Sequence, residues 1–283
     1  MPRKLPPSDQ TSPVVVAGIG GSGTRLIAQI LQKLGFYIGS DLNSQLDNLW
    51  FTLLFKTEDL PSISNVAFSI RLDIFLRAMT CDSQFNALEL ELIEKLTQHD
   101  RPQHPALWLQ YRSKSLLDRK SHPHNNGLWG WKEPNSHIVL DRLHKKIPGM
   151  KYIHVMRNGL DLAFSQNQNQ LSLWGKHFIG GDLQQSPYYS LKYWCMVHQR
   201  IRQLGAKMGP RFLLLNYDNF CSSPEKSLKA LIQFLGMEIE GALFDDLLSI
   251  IKTPDSIGRY QQHPIDCFDS MDIEFVRSLG FKV

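Results

Sequence analysis

The stretch VVVAGIGGSGTRLIAQILQKLGF, residues 14–36, constrains the fold more than any other part of the chain. Val14, Val15, Val16 and Ala17 form a continuous apolar run, the pattern of a parallel strand buried on both faces. From Thr24 the period changes. Leu26, Ile27, Ile30, Leu31 and Leu34 recur at helical spacing, and Gly35 is a natural stop. The intervening glycines therefore join a strand to a helix. Backbone N–H groups in such a turn, with the helix N-terminus behind them, cradle an anion.

Two ligands compete for this turn. Gly18, Gly20 and Gly23 have the spacing of a dinucleotide-binding fingerprint, and Asp41 lies near the distance expected of the ribose-binding acid, after a short apolar FYI. Alternatively, Gly18 and Gly23 have the spacing of a phosphate-binding P-loop. The Lys-Ser/Thr pair that grips ATP or GTP with magnesium is replaced by Thr24 and Arg25, which disfavours a magnesium-dependent nucleotidase. The loop's physics specifies a phosphate, and the rest of the chain must say which one.

Downstream, strands alternate with helices. WGWK, KYIHVM and RFLLLNY read as strands. Helices are expected after WGWKEP with Asn135 or Ser136 as cap, from NGLDLAFSQ, over SPYYSLKYWCMVHQRIRQLGAK, and over SPEKSLKALIQFLGM with Pro224 in its first turn. Residues from about 45 to 120 carry apolar residues three and four apart and read as a helical insertion. The aromatics Trp50, Phe51, Phe55 and Trp108 in this insertion read as core. The expected architecture is a three-layer, P-loop-like α/β fold with a central parallel sheet, ligands meeting the carboxyl ends of its strands. Residues 1–12 read as a disordered leader, and 13–283 as one α/β domain.

With 283 residues and 42% hydrophobic content the chain can bury a substantial core. Its net charge of +4 suits an anionic ligand held by a few placed cations and gives no argument for nucleic-acid binding. The cysteines Cys81, Cys195, Cys221 and Cys267 show no C-x-x-C spacing, which argues against zinc and a disulfide framework and suits a reducing compartment. His122 and His124, two apart with no partner cluster, read as a polar loop, so no metal is expected. No apolar run approaches the roughly 20 residues of a membrane span, and a cytoplasmic location is expected.

Taken together and in order, GIGGSGTR, WGWKEP, YIHVMRNGLDLAFS, LLLNYDNFCSSPEKSLKALIQFLGM and SIGRY resemble the sulfotransferases. That family transfers a sulfuryl group from 3′-phosphoadenosine-5′-phosphosulfate (PAPS) and releases 3′-phosphoadenosine-5′-phosphate (PAP). The resemblance spans roughly residues 14 to 262. It implies that Gly20, Gly21, Ser22, Gly23, Thr24 and Arg25 surround the 5′-phosphosulfate, although the basic residue many members carry inside this loop is a glycine here. Arg157 and Ser165 would hold the 3′-phosphate, with Arg259 as a second, loop-borne contact. Lys132 would stabilise charge on the leaving oxygen. Asp41 is the first choice for catalytic base and Asp47 the second. The RDxRD form common in the family is altered, with Asn158 and Leu160 replacing charged residues, while Asp161 reads as a local cap or pair. A small-molecule or glycan acceptor is implied, of unread identity. An NAD(P)-dependent oxidoreductase and a non-catalytic PAP sensor are the alternatives.

Overall fold

The computed structural model describes residues 12–80, 84–119 and 127–283. The leader through residue 11, Cys81, His122 and His124 lie outside the described residues.

Strand β1 (Val14–Gly18) leads through the glycine loop into α1 (Thr24–Lys33). Four helices follow, α2 (Leu49–Phe55), α3 (Asn65–Thr80), α4 (Ala87–Lys95) and α5 (Ala106–Leu117), in the stretch where the sequence shows helical periodicity. Strand β2 (Gly130–Lys132) stops before Pro134, as expected. The next turn, however, is a 3-10 helix, Pro134–Val139, with Glu133 at its cap position, and only then does α6 (Leu140–Lys146) begin. The expected caps Asn135 and Ser136 are inside that turn.

Strand β3 (Lys151–Met156) is followed by α7 (Gly159–Ala163), α8 (Asn169–Ile179) and the long α9 (Pro187–Met208). Helix α7 is shorter than NGLDLAFSQ suggests, so Ser165 lies just beyond its end. Strand β4 (Phe212–Asn216), α10 (Tyr217–Ser222), α11 (Pro224–Leu235), α12 (Gly241–Ser249) and α13 (Ser270–Ser278) complete the chain.

The strands form one parallel sheet in the order β2-β1-β3-β4. Strand alternation divides the core into two layers. Val14, Val16, Ile153 and Val155 pack with α1, α10 and α11 on one side. Val15, Ala17, Trp131, Tyr152 and Met156 pack with α2, α3, α6, α8 and α9 on the other. Helix–sheet–helix is thus the only arrangement that buries both faces of such uniformly apolar strands. On α1 the buried stripe is Leu26, Ile27, Ile30 and Leu31, each contributing roughly 1.5–3 kcal/mol.

This topology bears on the two readings of the glycines. A dinucleotide fold places the strand after the first helix directly beside β1. Here the neighbours of β1 are β2 and β3. The FYI segment makes only a single bridge, Tyr37 to Trp129, at the far edge of β2. Among the described residues, no helix is long and apolar enough to cross a membrane.

Candidate donor and transfer site

The glycine loop turns back on itself, Ser22 N–H donating to Ile19 C=O at 3.0 Å. Gly21 and Gly23 have φ of 90° and 92°, in the left-handed region that favours glycine. At Gly23 a second constraint applies, because a Cβ there would lie 2.2–2.7 Å from the Tyr217 ring. Gly23 is the N-cap of α1 and supplies no side-chain cap, and the first turn holds no acidic residue. The helix's positive end therefore opens onto the loop. Ser22 is fully buried, and its hydroxyl has no partner.

A cavity of about 530 Å³ opens over this loop, lined by Gly20, Gly21, Gly23, Thr24 and Arg25. Lys132 enters from the end of β2, and Asp47 from the loop before α2. Lys132 is 2% exposed; its Nζ donates to Gln45 C=O at 3.0 Å and is ion-paired with Asp47 Oδ1. That loop is braced by its own polar groups. Asn43 Nδ2 donates to Asp47 Oδ2 at 2.8 Å, and Asn48 N–H donates to Lys132 C=O at 2.8 Å. Asn48 also caps α2, accepting from Phe51 N–H at 3.0 Å. Asp47 is thereby held at the cation.

Asp41 is placed differently. It is buried and faces α5, where Arg112 Nη1 donates to its Oδ1 at 2.6 Å. Burial pushes its carboxyl up, against opposing contributions from Ser115 and Arg112. Asp41 is not in the wall of the cavity, and Asp47 is. The six-residue difference matters because the chain between them reverses direction, pairing Leu42 with Asn48.

Glu133, next to Lys132, is fully buried; burial first, and then the neighbouring Asp47, push its carboxyl up to about 7. One oxygen accepts from Asn135 Nδ2 at 2.8 Å, and the other has no partner. Asn135 in turn accepts from Trp174 Nε1 at 2.8 Å.

A second group of residues gathers at the end of β3. Arg157 is 7% exposed, and its Nε and Nη2 have no hydrogen-bond partner. An Asp161 oxygen stands 3.8 Å from Nη2. Arg259 reaches the same residue, its Nη1 donating to Asp161 C=O at 3.5 Å. Ser165 Oγ accepts from Asn167 N–H at 3.2 Å, and Asn167 lines the cavity beside Gly20. Tyr217 links the two groups, since it borders the cavity and lies within the fields of both Arg157 and Arg25. Asp218 is pushed up to about 6 by burial, with Arg157 opposing.

The structure thus brings Gly20, Gly21, Gly23, Thr24, Arg25 and Lys132 to one cavity, with Ser22 buried behind it. Arg157 and Arg259 both approach Asp161, while Ser165 lies just past α7 in the loop that leads to Asn167. Tyr217, Asn167 and Lys252 are among the cavity residues that the sequence does not single out. Tyr217 sits in LLLNYDNF, where its position directly after a strand was the available signal.

A model of the sulfotransferase family matches residues 13–241. The chain belongs to the sulfotransferase family. Among solved structures, this sulfotransferase is similar to the sulfotransferase domain from the Synechococcus PCC 7002 olefin synthase, with 14% identity, a TM-score of 0.50 and 99% of each chain covered. The sulfotransferase domain from the curacin biosynthetic pathway aligns at 12% identity and a TM-score of 0.48, over 96% of this chain and 98% of that one. A sulfotransferase from Mycobacterium tuberculosis aligns at 13% identity and a TM-score of 0.45, over 95% and 77%. At such identities the likeness is one of fold. No curated protein matches the chain by sequence.

Proposed function

We propose that this sulfotransferase uses PAPS as donor and transfers its sulfuryl group, by in-line attack, to the hydroxyl or amine of a small-molecule or glycan acceptor. The observation that carries this reading is Arg157. A buried guanidinium with two nitrogens that lack a hydrogen-bond partner is costly unless an anion completes it. Its place just past the end of β3, next to the Asp161 that Arg259 also reaches, suits a phosphate distinct from the one over the glycine loop. Two anion sites on one ligand describe PAPS better than an ordinary adenylate.

The glycine-loop amides, the open end of α1, Thr24 and Arg25 would hold the 5′-phosphosulfate. Sulfuryl transfer forms a bond from the acceptor atom to sulfur and breaks the bond from sulfur to the bridging phosphate oxygen, where negative charge collects. Lys132 Nζ, at the carboxyl end of β2, would leave Asp47 and stabilise that charge. Asp47, released from the pair, would take the acceptor's proton. It is preferred to Asp41 because it reaches the cavity.

The test is calorimetric titration of the wild type and Arg157→Ala with PAP, adenosine 5′-phosphate, ATP and NADP. Preferential PAP binding that weakens by at least about tenfold in the variant is expected from loss of charge-assisted hydrogen bonds. Equal binding of all four, or preference for NADP, would overturn the reading. Transfer of labelled sulfate from PAPS to a panel of acceptors then distinguishes an enzyme from a PAP sensor.

A further inference from the structure

The family match ends at residue 241, yet the chain beyond it returns to the site. After α12, Ile250, Lys252 and Pro254 line the cavity. The chain then reaches Gly258, where φ is 82°, and the 3-10 turn Arg259–Gln262. Residues 250–262 therefore run as a strap from the glycine-loop cavity to the neighbourhood of Arg157.

One side chain fastens the strap. Asp161, on α7, is 1% exposed. Its Oδ2 accepts from Gly258 N–H at 2.9 Å, and its Oδ1 accepts from Tyr260 N–H at 3.0 Å. Its backbone C=O accepts from the Arg259 guanidinium between them. The residues on either side of Arg259 are thus bonded to one carboxylate, and Arg259 itself to the same residue. Further along, Phe164 stacks on His263 with ring centroids 4.2 Å apart, in the same α7–strap seam.

The distribution of these bonds matters. A buried carboxylate four residues after an arginine would ordinarily pair with it and neutralise it. Here both carboxylate oxygens are occupied by backbone N–H groups. The nearest approach to Arg157 is an ion-pair distance of 3.8 Å, outside hydrogen-bond reach. Arg157 Nε and Nη2 are therefore left without a hydrogen-bond partner, while the same carboxylate holds the backbone on either side of Arg259.

The geometry points to Asp161 as a positioning residue: by clamping Gly258 and Tyr260 it fixes the strap and presents Arg259 beside Arg157, so that the donor's 3′-phosphate is gripped from two segments distant in the chain. This rests on the donor reading above. Asp161→Asn should break the clamp, because the amide's NH₂ would face one of the two backbone N–H donors.

The experiment titrates the wild type, Asp161→Asn, Arg259→Ala and the double variant with PAP and with adenosine 5′-phosphate, which lacks the 3′-phosphate. Asp161→Asn is expected to weaken PAP by about 10–100-fold and to leave adenosine 5′-phosphate within about twofold, and Arg259→Ala should behave alike. The double variant should bind PAP no worse than the weaker single, since both changes remove one grip. Parallel loss of both nucleotides, or fully additive losses for PAP, would reduce Asp161 to a structural role and overturn the proposal. Retention of PAP preference in Asp161→Asn would overturn the positioning role alone. A wild type that prefers neither nucleotide would overturn the donor reading and the proposal with it. Should Asp161→Asn not fold, hydrogen exchange on the wild type decides. PAP, and not adenosine 5′-phosphate, should slow exchange at the Gly258 and Tyr260 amides, and no difference between the two nucleotides would overturn the proposal.

Discussion

Replacing Gly23 by alanine tests the loop's geometry apart from any ligand. Two costs add at this position. The backbone has φ of 92°, where an L-residue loses about 1–2 kcal/mol relative to glycine. The new methyl would also lie 2.2–2.7 Å from three atoms of the Tyr217 ring, an overlap that rearranges packing at about 1–3 kcal/mol. Together they predict a loss of about 2–5 kcal/mol, read as the shift in urea unfolding. Gly21 separates the two costs, because its φ is 90° and its Cβ would meet only a Leu162 methyl at 3.2 Å. Gly21→Ala should therefore lose only about 1–2 kcal/mol. In a Tyr217→Ala background, Gly23→Ala should cost about 1–3 kcal/mol less than in the wild type, the coupling a double-mutant cycle isolates. A Gly23→Ala cost equal to that of Gly21→Ala, or no coupling to Tyr217, would refute the claim that Tyr217 packs on the loop tightly enough to require glycine.

Lys132→Ala should lower kcat for sulfuryl transfer by about 10²–10³-fold with a small change in PAP affinity, measured by steady-state kinetics and calorimetry. Asp47→Asn should lower kcat by about 10²–10⁴-fold, while Asp41→Asn, bonded to Arg112 outside the cavity, should stay within about twofold; the reverse order would return the base to Asp41. Glu133 supplies a pH prediction. Its folded carboxyl titrates at about 7 against an ordinary value of 4.5, so across that window the folded chain keeps a proton that the unfolded chain has released. Its contribution to stability therefore falls as pH rises from 4.5 to about 7, by on the order of 3 kcal/mol. Unfolding curves for Glu133→Gln should lose that slope and be the more stable above pH 7.

Much of the frame was legible because its signals are local. Val14 to Ala17 could only be a buried strand, the change of period at Thr24 could only begin a helix, and each later strand announced itself by a short apolar run. The cations at strand ends, Lys132 and Arg157, were legible for the same reason, since a parallel sheet delivers its strand ends to one edge wherever the strands lie in sequence. Helix ends are less legible. Pro134 after Glu133 favours a 3-10 turn over the helix its neighbours suggested, and α7 stops at Ala163, leaving Ser165 in the loop that leads to Asn167.

What only tertiary structure decided is the meeting of residues that no periodicity connects. Along the chain Asp41 is the first candidate acid and Asp47 the second. The reversal between them, held by Asn43, Asn48 and the end of β2, turns one toward Arg112 and the other toward Lys132. Tyr217 packs on the glycine loop because β4 ends beside β3, a consequence of sheet order. Along the chain Asp161 reads as a local cap or pair, yet its carboxylate bonds amides 97 and 99 positions later. Local sequence sets backbone conformation and hydrophobic faces through interactions a few residues long. The pairing of buried charges depends on which elements those faces bring together, and that follows only once the chain has folded.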